Sequence, residues 1–565
     1  MPYRANAWRT GTGLLAVALL AWLLFGGILA EERHAWGWSM AAALVPALLT
    51  AGLVLAVGGA CVASSVPDRG RARLAACIVI YAFALRLAYA GAVDLLPEET
   101  YYWSYAQHLD YGYLDHPPMV AWLIRIGVAL AGNDELGVRL GAIACAAVGS
   151  VFTYRLTRNL FGAESAAASV ILAQSLPFFF LAGFLMTPDA PLTAAWAATL
   201  YYLERALVAR NARAWWGVGF ALGFGMISKY SIALLVPAIA LFMILDRPAR
   251  IWWRRPEPYL AAAAALLVFA PVLVWNAEHQ WASFAFQTSR RLVEAPRFSL
   301  HKLIGSVLVL ITPVGVLAVA AVLGSGGRAV GNAGDPRRWL FLRIAVLFPL
   351  AVFTLFSLRH EVKLDWTGAP WVAALPVMAA AMTHGGRGLA RRLRGAWTPT
   401  AAIVLILLGT GLYYLAWGLP GVGYGKHIEL VPVAWREFSR QVDEIAGRVR
   451  AQSGRDPLIV GMDRYAIASE LAFYAAARTR TTLNPSSVHL FGGVGLMYER
   501  WTPAEAQDGK TLLLVAWDPR DIDGPSIAGH CERLGPLMEG HLTRDGHAVR
   551  DYYYRVAYNY RSARP

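Results

Sequence analysis

The chain is short of charge and of cysteine. Only 16% of its 565 residues are Asp, Glu, Lys or Arg, whereas 57% are hydrophobic and the mean hydropathy is +0.44. A soluble chain of this length would divide into a few domains with far more surface charge, so that class is excluded. Four cysteines, Cys61, Cys77, Cys145 and Cys531, provide neither a disulfide framework nor a metal-binding spacing. No internal repeat marks an inverted-repeat transporter.

What the chain has in quantity is long apolar runs. Stretches of roughly 17–25 residues recur, the length that crosses about 30 Å of hydrocarbon as a helix. They lie near 13–30, 40–63, 75–94, 137–157, 165–186, 189–207, 214–228, 231–246, 258–276, 303–323, 340–357, 368–384 and 398–418. The expectation is a polytopic α-helical membrane protein with about 13 spans.

The net charge of +14 does not imply a nucleic-acid partner, because the arginines cluster in alternate short loops. These are Arg69 to Arg73, Arg205 to Arg213, Arg247 to Arg255, Arg328 to Arg343 and Arg387 to Arg394. That alternation follows the positive-inside rule and assigns these loops to the cytoplasm. Loops 95–136, 277–302 and 358–367 then face outward, and an odd span count carries the tail after 418 to the same side. The N-terminus, with two arginines, an apolar run and Ala30, resembles a signal peptide. Ile28 stands three residues before that cleavage point and a second span follows, so an uncleaved anchor is expected.

Three zones follow: a two-span hairpin at 1–70, a transmembrane domain with outer loops at 71–418, and a tail at 419–565. In the tail, residues 433–452 read as an amphipathic helix with Arg440 and Glu444 four apart. LIVGMD, LLLVAW and YYYRVAYNY read as strands. A small outer (periplasmic) α/β domain is expected.

The residues able to carry chemistry sit in the outward loops. Glu98 and Glu99 follow Pro97 at a helix start, where acids stabilise the first turn; alternatively one of them takes a proton from an attacking hydroxyl. Tyr101, Tyr102, Trp103, Tyr105, Tyr111 and Tyr113 read mostly as an interfacial belt, with one or two, such as Tyr102, free to contact a sugar or an isoprenoid. Asp115 and His116 are held extended by Pro117 and Pro118. Asp189 lies in a turn between Pro188 and Pro191, where an acid is also ordinary turn chemistry. Lys229, followed by Tyr230, is the single charge between Trp215 and Leu245. It either snorkels or meets an anionic phosphate. Lys363, Arg290, Arg291 and Lys302 are outer cations against the positive-inside trend, and Arg86 is a charge within a span. Binding a phosphate is the simplest reason for such cations. The acids could also hold a divalent cation, although no His/Cys cluster requires one.

Glu-Glu-Thr-Tyr-Tyr-Trp at 98–103, Gly112 to Pro118, Thr187-Pro188-Asp189-Ala190-Pro191 and Ser228-Lys229-Tyr230 occur in an order that resembles bacterial glycosyltransferase family 39. This is the dolichyl-phosphate-mannose–protein mannosyltransferase-like group, related to the aminoarabinose transferase of lipid A. The resemblance covers roughly 75–420. It implies a GT-C fold in a bacterial inner membrane, an outer active site and a polyprenyl-phosphate-linked sugar donor. It further implies inverting transfer to an envelope lipid, glycan or protein. The family's catalytic acid maps to Glu98, with Glu99 in second place; its second-loop acid maps to Asp189 and a later lysine to Lys229. Where relatives have lysine before the Pro-Pro pair, this chain has His116. Two other readings stand beside this one: a transporter or lipid flippase, and an oligosaccharide ligase or polymerase using a diphosphate-linked donor.

Overall fold

The computed structural model describes residues 80–562 apart from 81, 84, 294–295, 332–334, 387, 419–422, 425–432, 480–482 and 545. The 1–70 hairpin, the spans near 13–30 and 40–63, and Cys61 and Cys77 therefore lie outside the described residues. The chain forms two compact units. The first takes His116–Met119 and Gly141–Gly411, with the described residues up to Ala88. The second takes Tyr89–Asp115, Val120–Leu140 and Leu412 onward. The tail thus forms one body with residues drawn from 89 to 140, a grouping that does not follow chain order.

The first unit is a bundle of apolar helices. Among the described residues of the chain, five helices are long and apolar enough to cross a membrane: Glu135–Phe161, Glu257–Glu278, Leu300–Gly324, Pro336–Ser357 and Pro399–Trp417. A sixth arises if Tyr230–Leu245 is joined to Arg247–Arg254, which bends away by 116°. Other apolar stretches are broken or short. The run at 165–186 divides at Leu176–Pro177 into helices Ala163–Ser175 and Pro177–Ala182, because a proline removes a helix donor and holds its predecessor extended. Helices Asp189–Leu203 and Ala214–Met226 have 15 and 13 residues. The stretch Ala369–His384 is almost wholly buried. A side chain at Gly368 would run into the ring of Phe178, so that close approach needs glycine. Elsewhere large apolar side chains point outward, Leu267 at 74% and Leu355 at 68% exposure, as a lipid-facing surface requires.

The arginine-rich loops meet at one end of this bundle. The Arg337 Nε lies 3.0 Å from both Asp246 carboxylate oxygens, and its two terminal nitrogens donate to the carbonyls of Leu207 (2.6 Å) and Val208 (3.1 Å). One guanidinium therefore clamps three loops that the charge alternation assigns to the same side. The helices that leave this end, Asp189–Leu203 and Leu235–Leu245, carry Asp189 and Lys229 at or just beyond their opposite ends.

The second unit is built on a six-stranded mixed sheet. Its strands are β1 (Leu458–Gly461), β2 (Ser486–Ser487), β3 (Leu512–Ala516), β4 (Cys531–Leu534), β5 (Met538–Arg544) and β6 (His547–Tyr560), and the order is β2-β1-β3-β6-β4, with β5 also on β6. β1 is parallel to β2 and β3, whereas β6 is antiparallel to β3, β4 and β5. Its core includes Val460, Leu512, Leu514, Ile522 and Tyr560. The amphipathic helix appears as Trp435–Ser453, with Arg440 paired to Glu437 and Glu444. Arg436 pairs with buried Glu135, and the Leu95 N–H donates to Tyr474 Oη at 2.8 Å. These bonds explain why Tyr89–Asp115 and Val120–Leu140 group with the tail.

The clamp at Arg337 yields a stability prediction. Arg337→Ala strands the buried Asp246 carboxylate and two carbonyls, and should cost about 3 kcal/mol. Thermal unfolding in detergent should show the loss, and Arg328→Ala, whose guanidinium bonds only a carbonyl within its own turn, should show almost none.

Candidate active site

Helix Pro97–Gln107 begins after an extended Leu96, with Pro97 in its first turn, where a missing N–H costs nothing. Successive helical residues point about 100° apart. Glu98 and Glu99 accordingly point in different directions, and one of them faces the interior. Glu99 does, and Glu98 is exposed. Arg139 Nε donates to Glu99 Oε1 at 2.9 Å and Nη2 to Oε2 at 2.7 Å, with both side chains fully buried. The remaining Arg139 donors reach the carbonyls of Ala90 (3.0 Å), Val93 (2.6 Å) and Asp94 (3.0 Å). All five guanidinium N–H groups are thus used. Glu99 Oε2 also accepts the Leu96 N–H at 3.1 Å. Both Glu99 oxygens are occupied, which leaves Glu98 as the available carboxylate.

The aromatic run departs from the interfacial belt expected of it. Tyr101, Tyr102, Trp103, Tyr105 and Tyr113 are buried, and Tyr111 is exposed. Their cover comes from the tail: Tyr101 packs on Tyr465 at 4.6 Å between ring centres, and Trp103 on Phe473 at 5.3 Å. Tyr102 packs against Tyr101 and Tyr105. Asp115 is buried among them, accepting from Tyr101 Oη at 3.0 Å and from Tyr105 Oη. Burial raises its pKa, and the two tyrosine bonds partly oppose that rise. Asp115 thus anchors the loop. Glu470, on helix Ala466–Thr479, is also buried. Burial, reinforced by the like charges of Asp94 and Glu99, raises its pKa well above the ordinary carboxylate value and so favours the protonated form.

The first unit holds a second charged constellation. Lys229 stands extended between helix Ala214–Met226 and the turn Tyr230–Leu234. Its amine donates to Asp189 Oδ1 (3.0 Å), Asp189 Oδ2 (2.9 Å) and Asp365 Oδ2 (2.9 Å). The Met119 N–H donates to the Ile227 carbonyl at 3.0 Å, setting the His116-Pro117-Pro118 turn against this loop. Tyr230 packs on Phe269 and Phe284 and shares a 2.9 Å hydrogen bond with Ser283. Lys363 is exposed, and from its loop it is Asp365 that reaches Lys229. Lys302, like Arg297, pairs with Glu361, which gives Lys302 an anionic partner other than a phosphate. Arg86 is fully buried, donating to Gln174 and to the carbonyls of Phe179 and Phe180, with its guanidinium 5.0 Å from the Phe180 ring centre. That setting caps a helix end inside the bundle. Among the described residues the group suited to a metal ion is Glu539, His541 and Asp551, exposed on β5 and β6; it includes none of the acids singled out from the sequence.

The model of the dolichyl-phosphate-mannose-protein mannosyltransferase family matches residues 115–275, a stretch that contains Asp115, His116, Asp189, Lys229 and Tyr230. The chain is 28% identical over 196 residues to the lipid A galacturonosyltransferase of Rhizobium johnstonii, covering 33% of this chain and 40% of that protein. It is 26% identical over 421 residues to the lipopolysaccharide core galacturonosyltransferase of the same organism, covering 68% and 81%. Against the undecaprenyl phosphate-alpha-4-amino-4-deoxy-L-arabinose arabinosyl transferase of Pseudomonas aeruginosa it is 26% identical over 284 residues, covering 46% and 51%. The crystal structure of ArnT from Cupriavidus metallidurans superposes with a TM-score of 0.58 at 15% identity, over 85% of this chain and 97% of that one. This chain is similar in sequence to these transferases and shares the fold of ArnT. The same ArnT bound to undecaprenyl phosphate superposes with a TM-score of 0.55 at 16% identity. Glu98, Glu99, Arg139 and Asp365 need separate argument, since Glu98, Glu99 and Asp365 fall outside the matched stretch and Arg139 is absent from the motifs. Arg139 had a signal in the sequence, a charge inside an apolar run, as Arg86 had. Asp365 had none that set it apart from Lys363.

Two predictions follow from this geometry. Arg139→Lys cannot reproduce the two-pronged bond and leaves Glu99 partly unpaired in the interior, so folded yield should fall sharply, by about 3–5 kcal/mol for Arg139→Ala. Glu470→Gln should be tolerated, because burial favours the uncharged form of this acid. A folded-state pKa raised above the unfolded value penalises the native state increasingly as pH rises from 4.5 towards the folded value. The Gln variant lacks that penalty. Its melting temperature should equal wild type at acidic pH and exceed it as pH rises; a lower value at pH 8 would contradict the assignment.

Proposed function

We propose that the chain is a membrane glycosyltransferase that moves a sugar from a polyprenyl-phosphate donor to a saccharide-bearing envelope lipid. The reaction takes place on the outer face of a bacterial inner membrane crossed about thirteen times. The observation that carries the chemistry is the division of labour between the paired acids. Glu99 is locked by Arg139, and Glu98 presents an unburied carboxylate from the first turn of a rigidly held helix. The fold shared with ArnT and the relatives named for galacturonosyl and arabinosyl transfer support the reaction class.

Glu98 takes the proton from the acceptor hydroxyl as its oxygen attacks the anomeric carbon. The bond from that carbon to the phosphate oxygen breaks, and polyprenyl phosphate leaves with the electron pair. Attack opposite the leaving group inverts the anomeric configuration. Lys229 serves as counter-ion to the donor phosphate. Its amine is held by two acids, and Asp365, whose side chain is 43% exposed against 12% for Asp189, is the partner that yields to an arriving phosphate. Asp189 keeps the amine in place during that exchange. The tail domain, on the same outer side, backs the helix that presents Glu98.

Sugar transfer from a polyprenyl-phosphate donor, assayed in membranes, tests the assignment. Glu98→Gln should fold normally and lose about 10²–10⁴-fold in rate. A properly expressed Glu98→Gln with wild-type activity would refute the base. Lys229→Met should weaken donor binding, seen as a raised donor KM.

A further inference from the structure

The second unit contains a cleft that the chemistry above does not use. It lies between helix Pro97–Gln107 and the tail, with about 100 Å³ of free space, against the roughly 10–15 Å³ that a single water needs. Trp103, Gln107, His108, Asn484, Tyr498 and Trp501 form its walls. Trp103 and Tyr498 are buried at its base, and His108 and Asn484 are exposed at its rim. The Trp501 ring is held in place, stacked on His108 at 4.6 Å and edge-on to Tyr498 at 5.3 Å.

The lining selects a ligand class by what it contains and what it omits. No lysine, arginine or carboxylate lines the cleft, so a phosphate or a charged headgroup finds no counter-charge. Two side-chain amides, Gln107 and Asn484, make an isoprenoid chain a poor occupant, because each would lose its water without recompense. Neither amide is hydrogen-bonded to another described side chain, whereas the indole of Trp103 is fixed to Asn133 at 2.8 Å and Ser104 to the Thr100 carbonyl at 3.1 Å. Fixed aromatic rings beside free amides suit a ring molecule with an apolar C–H face and paired hydroxyls. The C–H face rests on an indole, and each amide offers one donor and one acceptor to neighbouring hydroxyls.

We propose that this cleft is a saccharide-binding subsite that receives one pyranose ring. The proposal rests on the glycosyltransferase reading for its biological role. Two sources offer the same chemistry: the sugar of the donor and the glycan of the acceptor.

Saturation-transfer NMR on the detergent-purified full chain, with galactose, glucosamine and galacturonic acid as probes, tests binding without requiring catalysis. At least one probe should give a saturable signal, weakened about tenfold or more in Gln107→Ala/Asn484→Ala. Asn484→Trp, which fills the cleft from an exposed position, should abolish the signal and controls for misfolding of the double variant. Absence of any signal from wild type, or an unchanged signal in both variants, overturns the subsite. In transfer assays, a raised acceptor KM with unchanged donor KM assigns the ring to the acceptor, and the reverse assigns it to the donor; unchanged values for both overturn the role. Saccharide binding by a wild-type chain that transfers no sugar would sustain the cleft and sink the glycosyltransferase reading.

Discussion

The buried pair of Arg139 and Glu99 is the constraint on which the candidate chemistry depends. An arginine removed from water is costly unless every donor is used, and here all five are. Two reach one carboxylate and three reach the carbonyls that end the segment at 90–94. The pair therefore fixes the rotation of helix Pro97–Gln107 about its axis. That rotation buries Glu99, exposes Glu98, and turns Tyr101 and Tyr105 onto Asp115. A single ion pair thereby separates two adjacent, chemically equivalent acids into a buried, paired one and an exposed one.

The bundle shows the same economy at its two ends. At the arginine-rich end, Arg337 draws three loops together through Asp246 and two carbonyls. At the opposite ends of the same helices, Lys229 is shared by Asp189 and Asp365. In the first arrangement each of the three guanidinium nitrogens has a partner fixed in the fold. The second places one cation between two anions, one of them half exposed, and so can exchange a partner. This difference in the exposure of the partners, rather than the presence of charge, sets the two arrangements apart.

Much of the architecture was legible in the sequence. The apolar runs within the described residues became helices because, in lipid, a backbone must satisfy its own hydrogen bonds. The three tail strands lie where alternation and β-branched content placed them, and the pairing of Arg440 with Glu444 follows from helical spacing. The motif order identified the relatives. Other features were less legible. The run at 165–186 read as one span, although Pro177 divides it. The tyrosines read as a membrane belt, because an aromatic amphipathic stretch looks alike whether lipid or a second domain covers it. Arg86 and Lys363 read as phosphate ligands; the first is fully buried inside the bundle, and from the loop of the second it is Asp365 that reaches Lys229.

The sequence by itself determined the helical membrane class, the family resemblance, and the short set of residues from which a site could be built. Those properties depend on composition, periodicity and local spacing, which are linear. Only the tertiary structure decided which members of that set are free. Whether Glu98 or Glu99 is available depends on an arginine forty residues away, and the company of Lys229 depends on an acid from a loop 136 residues further along. Ion pairing and burial are set by neighbours in space, and no local pattern in the chain encodes them.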